Sequence, residues 1–357
     1  MLILNSIIGL FLIITLTNFF LVRKPEAGET SINASIGVIV PLRNEADNVK
    51  ELLQSLKPQR GLSHLHFYLL DDNSTDRTHS LLELEAAGDE RFTIIPGKPL
   101  EPDWLGKPFA LQQLFEIATE EILVTVDADV RLKPYAIANS VNLMNEIHAD
   151  FLSPYPRQIA LTWSERLIQP LLQWSWFFSL PLRITERSKR PSMAVANGQF
   201  FLVKRSALAR IGGLFSIKSE VIDDVALARV LISHGFSGGV ADGSAIAHCR
   251  MYRNWRDIKA GYGKSLWKAF PNSISAILAG AFLFATCIAP VILAIMGNVW
   301  GWIGYLFILV SRVLTAIKTG SRIFDCLFHP ISIALLIYLS IYSWRNRGSV
   351  QWKGRTV

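Results

Sequence analysis

Cysteine is scarce in this chain of 357 residues: Cys249, Cys287 and Cys326 are the only ones, and no two stand in a Cys-x-x-Cys spacing. That excludes a disulfide framework and a thiolate metal centre, and it suits a reducing compartment. Charge is absent from residues 1–22, which are almost wholly apolar and end at Arg23-Lys24. A run of that length crosses a hydrocarbon core of about 30 Å. It also lacks the basic start, short apolar centre and small-residue cleavage site of a secretory signal, so it reads as a retained anchor. Acidic residues are the minority, 29 Asp and Glu against 36 Lys and Arg, for a net charge of +7. The excess does not mark a nucleic-acid partner. It gathers at Arg183, Arg187, Lys189, Arg190, residues 250–268 and 345–355, beside apolar segments, where anionic headgroups attract it.

What is present is unevenly distributed. Hydrophobic residues make up 50% of the chain and concentrate at its two ends, whereas 31–256 is an ordinary globular mixture. This predicts a water-facing domain held between an anchor at 1–22 and a membrane region at 273–344, with an interfacial linker at 257–272 and a basic tail at 345–357. Apolar runs at 274–295, 300–314 and 328–344 predict three segments in that region. The Arg23-Lys24 pair places the central domain in the cytosol, as at a bacterial-type plasma membrane. Three full segments would then export the basic tail, so the short last run, opening at His329-Pro330, is the expected re-entrant or interfacial exception. Residues 161–190 combine leucines, Trp163, Trp174, Trp176, Phe177 and Phe178 with a basic end, and Pro170 and Pro181 interrupt them. An amphipathic segment lying in the headgroup region fits that pattern, and a buried core helix of the central domain is the alternative.

Within the central domain, apolar runs at 36–40, 67–70, 92–95 and 122–126 alternate with helical patterns at 45–56, 76–87, 108–119 and 134–147. Strands alternating with helices predict an α/β, Rossmann-like fold with a mainly parallel sheet. Ligands of such sheets bind at the carboxyl ends of the strands. Those ends carry Pro41-Leu42-Arg43-Asn44-Glu45, then Asp71-Asp72-Asn73-Ser74-Thr75-Asp76, then Asp127-Ala128-Asp129. Ser74 to Asp76 read as a helix N-cap. Capping does not explain Asp71 and Asp72, two carboxylates that close an apolar strand and call for a positive or hydrogen-donating partner. Asp127 and Asp129 offer hard oxygen ligands on one side of a strand end, the donor set of Mg²⁺ or Mn²⁺. Such a cation bridges phosphates and neutralises a departing diphosphate.

These clusters, with Asp223-Asp224-x-Ala226-Leu227, resemble the inverting family 2 glycosyltransferases of the GT-A fold, in order and approximate spacing over about residues 36–256. The resemblance implies a nucleotide-diphosphate sugar donor, probed as a UDP-sugar by default, held by Pro41, Arg43, Glu45, Asp71, Asp72 and Asp127. Asp71 and Asp72 would meet the base and Glu45 the ribose neighbourhood. It implies a divalent metal at Asp127 and Asp129, and Asp224 as the general base with Asp223 beside it. Trp104-Leu105-Gly106-Lys107-Pro108 resembles a segment of the lipid-acceptor branch in which the lysine lies near the diphosphate, although Lys107 also reads as a solvated loop lysine. Arg250-Met251-Tyr252-Arg253-Asn254-Trp255 resembles the membrane members' Q/R-x-x-R-W motif with the tryptophan displaced by one, which makes Arg250 and Arg253 candidate phosphate clamps. His248 is a candidate metal or phosphate ligand, against a merely structural histidine.

The acceptor side resembles the same branch, whose members glycosylate carotenoid, hopanoid-type and ceramide lipids. The residues carrying that likeness are Asn197-Gly198-Gln199-Phe200-Phe201, Gly261-Tyr262-Gly263-Lys264-Ser265 and Val350-x-Trp352-Lys353-Gly354-Arg355. The implied acceptor is a hydroxyl or carboxyl of a membrane lipid. A processive polysaccharide synthase shares the donor site but needs an export tunnel, and a catalytically dead membrane scaffold would keep the fold without turnover.

Overall fold

A computed structural model describes residues 1–347 together with the backbone of 351–352 and 355–356, so Val350, Lys353 and Gly354 of the terminal motif lie outside the described residues. The chain divides into two compact units, one of residues 23–157 and 184–249, the other of residues 1–22, 158–183 and 250–357.

The first unit is built on a seven-stranded sheet ordered Phe92–Pro96, Leu62–Asp71, Ile32–Leu42, Ile122–Val126, Phe200–Lys204, Phe151–Tyr155, Gly238–Asp242. The first four strands are parallel, and Phe200–Lys204 runs antiparallel to both of its neighbours. Ile122–Val126 is buried throughout, which is why it reads as an unbroken apolar run rather than an alternating one. Helix Ala46–Leu56 presents Val49, Leu52, Leu53 and Leu56 to the core, the spacing of a single helix face. On one side of the sheet Leu70, Phe109, Leu114, Leu123, Phe201 and Leu231 form a common core.

Helix Gly106–Ile117 starts two residues before the expected position. Pro108 falls in its first turn, where a missing amide costs nothing, and Lys107 is thereby a helix residue rather than a loop lysine. The expected capping within Ser74 to Asp76 falls to Asp76, which accepts the amide of the first helical residue, Thr78. Helix Thr78–Ala86 begins later and has no side-chain cap from Arg77. Ser74 Oγ accepts the Asn44 amide at 2.9 Å, and Asp76 accepts the amides of Thr78 (2.9 Å) and Ala46 (3.2 Å), so these residues cap the helix and also tie two loops together.

Among the described residues, the second unit contains four helices long and apolar enough to cross a membrane: Leu2–Leu21, Ser273–Ile295, Val299–Thr319 and Ile323–Arg345. The last is 23 residues long, so the shortness that marked it as the exception is absent; its 3₁₀ turn Ile323–Phe328 extends the apolar run past His329-Pro330. Of residues 161–182, Leu161 and Trp163 are exposed and others are interior. Trp174, Phe177 and Phe178 on helix Pro170–Ser179 are interior, and the Trp174 indole donates to Ser311 Oγ at 3.0 Å. Pro181 has no amide to offer the end of this helix, and Asn18 of the first span replaces it, donating to the carbonyls of Phe177 (3.0 Å) and Leu180 (2.7 Å). A polar residue inside an apolar span is thus explained by the carbonyls it satisfies.

Candidate active site

The parallel strands end together. Leu42 pairs with Asp71, Asp71 with Pro96, and the Asp127 amide donates to the Gln199 carbonyl at 3.0 Å, so all three acidic clusters share one sheet edge with residues 197–199. Arg43 acts there as a brace: its Nη1 donates to the carbonyls of Asp72 (2.6 Å) and Asn73 (2.9 Å). Asn44 and Asn73 both have positive φ, and Asn44 Oδ1 accepts the Thr75 amide at 2.8 Å. Asp71 accepts the Ser74 amide at 3.1 Å and lies 3.3 Å from His79 Nδ1. Glu45 accepts Asn48 Nδ2 at 2.7 Å. Pro41 pairs with Leu70 inside the sheet.

At the centre of the edge, Lys107 Nζ donates to Asp127 Oδ1 at 2.7 Å and lies 3.9 Å from Asp223 Oδ2. Burial alone would lower the Lys107 ammonium, but Asp127, Asp223 and Asp224 together hold it well above its ordinary value. Asp224 stands in the first turn of helix Asp223–Ser233 with both oxygens oriented by the backbone: Oδ2 accepts the Gly198 amide at 2.7 Å and Oδ1 the Val225 amide at 2.8 Å. Burial, then the neighbouring Asp223 charge, raises Asp224 to about 6, against the pull of Lys107. A carboxylate so tuned is ionised near neutrality yet able to hold a proton, the property of a general base. Gly198 allows this closeness, since a Cβ there would sit 3.3 Å from both the Asp224 Cβ and Lys107 Nζ.

Asp127 and Asp129 flank a turn closed by Val130 N–H donating to the Asp127 carbonyl at 3.0 Å. Arg131 Nη1 braces that turn at the carbonyls of Ala128 (2.7 Å) and Val130 (2.9 Å). Burial raises both carboxyls. Lys107 opposes the rise at Asp127, whereas Asp127 and Glu45 add to it at Asp129, which reaches about 6. Negative charge in surplus at a buried turn is what a cation relieves. Among the described residues no group of three His, Cys, Asp or Glu side chains forms a ready cation cage. The two carboxylates therefore suit a cation that takes its remaining ligands from phosphate and water, as Mg²⁺ does.

His248 is not brought to this turn. It pairs with Arg131 on the short strand Ala247–Cys249 and is exposed, while burial and then Arg131, Arg157 and Lys133 lower its pKa. The next residue, Cys249, is the one that reaches Asp129: its buried thiol is hydrogen-bonded to that carboxyl and accepts Gln199 Nε2 at 3.1 Å. Arg250 and Arg253 belong to the apolar unit. There Arg250 is paired with the buried Glu165, Nη2 to Oε1 at 3.2 Å and Nε to Oε2 at 3.4 Å, and the Arg253 amide donates to Asp257 at 3.1 Å.

A mainly parallel sheet with acidic clusters at one edge defines an α/β fold that presents polar groups at its strand ends. Residues 37–212 match the family model for glycosyl transferase family 2, so the chain contains a family 2 glycosyltransferase domain with the GT-A architecture. Over 109 residues, 30% of this chain, it is 33% identical to a 4,4'-diaponeurosporenoate glycosyltransferase of Staphylococcus haemolyticus (strain JCSC1435). Over 146 residues, 39% of this chain, it is 31% identical to an N-acetylglucosaminyltransferase of Rhizobium leguminosarum bv. viciae. These matches span 27% and 33% of the relatives' own lengths. A 4,4'-diaponeurosporenoate glycosyltransferase of Staphylococcus aureus (strain bovine RF122 / ET3-1) is 22% identical over 352 residues, covering 90% of this chain and 88% of the relative. Among solved structures, the mannosyltransferase PcManGT from Pyrobaculum calidifontis, in complex with GDP-Man and Mn2+, shares the fold at a TM-score of 0.56 and 19% identity, covering 96% of this chain and 98% of that one.

Proposed function

We propose that this chain is an inverting glycosyltransferase that moves a sugar from a nucleotide-diphosphate donor to a hydroxyl or carboxyl of a membrane lipid, on the cytosolic face of the membrane. The observation that carries the reading is the Asp224 carboxylate, fixed by the Gly198 and Val225 amides and set beside the Lys107–Asp127 pair at the edge where the donor clusters converge. In this reading Asp224 takes the proton of an acceptor hydroxyl as its oxygen bonds to the anomeric carbon. The bond from that carbon to the diphosphate breaks, and the electron pair leaves with the diphosphate. Asp71 and Asp72 face the base, and Lys107 supplies positive charge toward the leaving group. Asp127 and Asp129 would hold Mg²⁺ or Mn²⁺, which when bound offsets the charge of the departing diphosphate.

Support for a lipid acceptor comes from the two relatives named for diaponeurosporenoate and from the four helices of spanning length among the described residues. The test is incubation of the purified protein in membranes with labelled UDP- and GDP-sugars and a total lipid extract. A lipid carrying one sugar is expected. Long sugar chains would instead indicate a processive synthase, and no turnover of any donor a scaffold. Charge removal at Arg250 and Arg253 tests the diphosphate contact that the motif resemblance implies.

A further inference from the structure

Contacts inside the apolar unit divide its four long helices three to one. Ser273–Ile295 and Val299–Thr319 form an antiparallel hairpin closed at Met296 to Asn298, where the Asn298 amide donates to the Leu293 carbonyl at 3.0 Å. Gly301 lets the two backbones meet, since a Cβ there would lie 2.5 Å from the Ala294 nitrogen and 2.7 Å from the Pro290 oxygen. The first span runs alongside. At the closed end Asn5 Nδ2 donates to the Trp300 carbonyl at 2.9 Å, and at the open end Lys318 Nζ donates to the Phe19 carbonyl at 2.9 Å. Leu21, Ser273 and Thr319 therefore share the open end.

Ile323–Arg345 begins at that open end, joined to Thr319 through the Gly320 cap. As a helix its 23 residues reach about 34 Å, enough to carry Arg345 to the closed end. Its last turns lie elsewhere. Ser343 Oγ donates to the Gly263 carbonyl at 2.7 Å and accepts the Trp267 amide at 3.0 Å. Trp267 precedes Ser273 by six residues, which cover about 21 Å at full extension and less here, because Leu266–Ala269 is a 3₁₀ turn. The far side of a hydrocarbon core of about 30 Å is out of reach. Helix Trp255–Ser265, which contributes Gly263, carries Arg256, Asp257, Lys259 and Lys264 and is too polar for the membrane interior. Both ends of Ile323–Arg345 thus belong to the open end.

The aromatic residues of this helix agree. Counted from Ile323, a crossing helix would carry Tyr338 about 22 Å into the bilayer. Instead Tyr338 is stacked 6.2 Å from Trp255, Trp255 6.0 Å from Trp163, and Tyr338 6.5 Å from Tyr342, with interplanar angles of 26°, 23° and 22°. Lys259 Nζ closes the row, 4.3 Å from the centre of the Tyr342 ring. Trp and Tyr rings, apolar in body and polar at the tip, settle at headgroup level, and a lysine there meets anionic lipid. Phe324, Leu327, Phe328, Ile331, Tyr338 and Ile341 are exposed at helical spacing, whereas Ile333, Leu339 and Ser343 are buried, so one side of the helix is left for lipid.

We propose that Ile323–Arg345 does not cross but lies within the leaflet at the open end, with the aromatic row set against the headgroup layer of that leaflet. The chain then spans the membrane three times, and Arg345 and Arg347 stay on the side of Arg23 and Lys24, as the distribution of basic flanks requires. The assignment does not depend on sugar transfer. Full-length Glu26→Cys, Met296→Cys and Val357→Cys variants in sealed vesicles are treated with a membrane-impermeant maleimide before and after opening with detergent. The parent, whose Cys249, Cys287 and Cys326 are buried, sets the background. Val357→Cys should react from the side of Glu26→Cys and opposite to Met296→Cys. Should the Val357 site stay unreactive after opening, Arg347→Cys is read in the same way. Labelling from the side of Met296→Cys means that the helix crosses and overturns the proposal. Depth is read separately, with a dye on Tyr338→Cys in phosphatidylcholine and phosphatidylglycerol vesicles. Nitroxide lipids labelled at the headgroup should quench it more than those labelled at mid-chain, and the reverse order overturns the placement of the row.

Discussion

Replacing Asp224 with Asn removes basicity at the proposed base with little change of shape. The carboxylate accepts the Gly198 amide at 2.7 Å and the Val225 amide at 2.8 Å, and an amide side chain can match only one of them, a loss of about 1 kcal/mol that leaves the fold intact. Because its pKa is raised to about 6, by burial first and Asp223 next, Asp224 is roughly nine-tenths ionised at pH 7. Turnover of a hydroxyl acceptor should fall roughly 10²–10⁴-fold in the variant, the usual contribution of a positioned base. That corresponds to about 3–5 kcal/mol in the barrier. The sign of the pH effect follows, since the base works only when ionised. The parent rate should therefore decline as pH falls below about 6, and the variant should lose that limb. Single-turnover transfer of labelled sugar at saturating metal and donor reads the rate, and calorimetry reads donor binding, which should hardly change. A carboxylate acceptor has already lost its proton near pH 7, its pKa being about 4, so the same variant should be only mildly impaired with it. Near-normal turnover of a hydroxyl acceptor by the folded variant would refute the assignment and shift attention to Asp223.

Chelation should abolish turnover, and full activity after exhaustive chelation would refute the metal assignment; Mn²⁺ affinity, titrated on either side of pH 6, should also fall on the acid side, where protons compete for Asp129. Lys107→Met removes the cation that holds down Asp127 and Asp224, so the acidic limb of the rate profile should move to higher pH and the donor KM should rise; an unmoved limb would refute that coupling. Gly198→Ala places a methyl 3.3 Å from Asp224 Cβ and Lys107 Nζ, and a shift of this kind can lower turnover up to roughly 10²-fold with little change in thermal midpoint. An unchanged kcat would show that the approach there is not tight.

The parallel half of the sheet was legible because its strands carry short apolar runs, unbroken in 122–126 where burial is complete, and three of the four runs are closed by a polar cluster at the carboxyl end. The antiparallel strand Phe200–Lys204 was only partly visible. Its apolar residues stand in the sequence, but its insertion beside Ile122–Val126 is a long-range pairing with no local signature. Which aromatic side chains of residues 161–182 are interior was hidden in the sequence for a related reason. Tryptophan, phenylalanine and a basic flank describe a headgroup segment as well as a buried one. What separates them is the partner set, Ser311 for the Trp174 indole and Asn18 for the helix end, which lies far away in the chain.

The candidate site divides along the same line. Carboxylates clustered at a strand end have no structural reason to be there, and so Asp127 and Asp129 could be singled out from sequence, whereas Asp223 and Asp224, in the first turn of a helix, stood out only through the family resemblance. The groups that set their protonation are ordinary in sequence: a lysine before a proline, a glycine between two amide residues, a cysteine beside a histidine. Of that last pair the histidine looked like the ligand, yet alternation along Ala247–Cys249 sends His248 outward to Arg131 and turns the thiol to Asp129. A single alternation rule, applied to a strand whose buried positions are 247 and 249, was the signal that distinguished them. Charge balance supplies the next constraint. Lys107 can neutralise only part of the negative charge gathered from Glu45, Asp127, Asp223 and Asp224, and what is left over adds to burial, the larger cause, in raising Asp129 and Asp224 to about 6. A site in that condition attracts cations and holds its base near neutrality, so the residual charge links the metal preference and the acidic limb to one cause, and Lys107→Met should perturb both together.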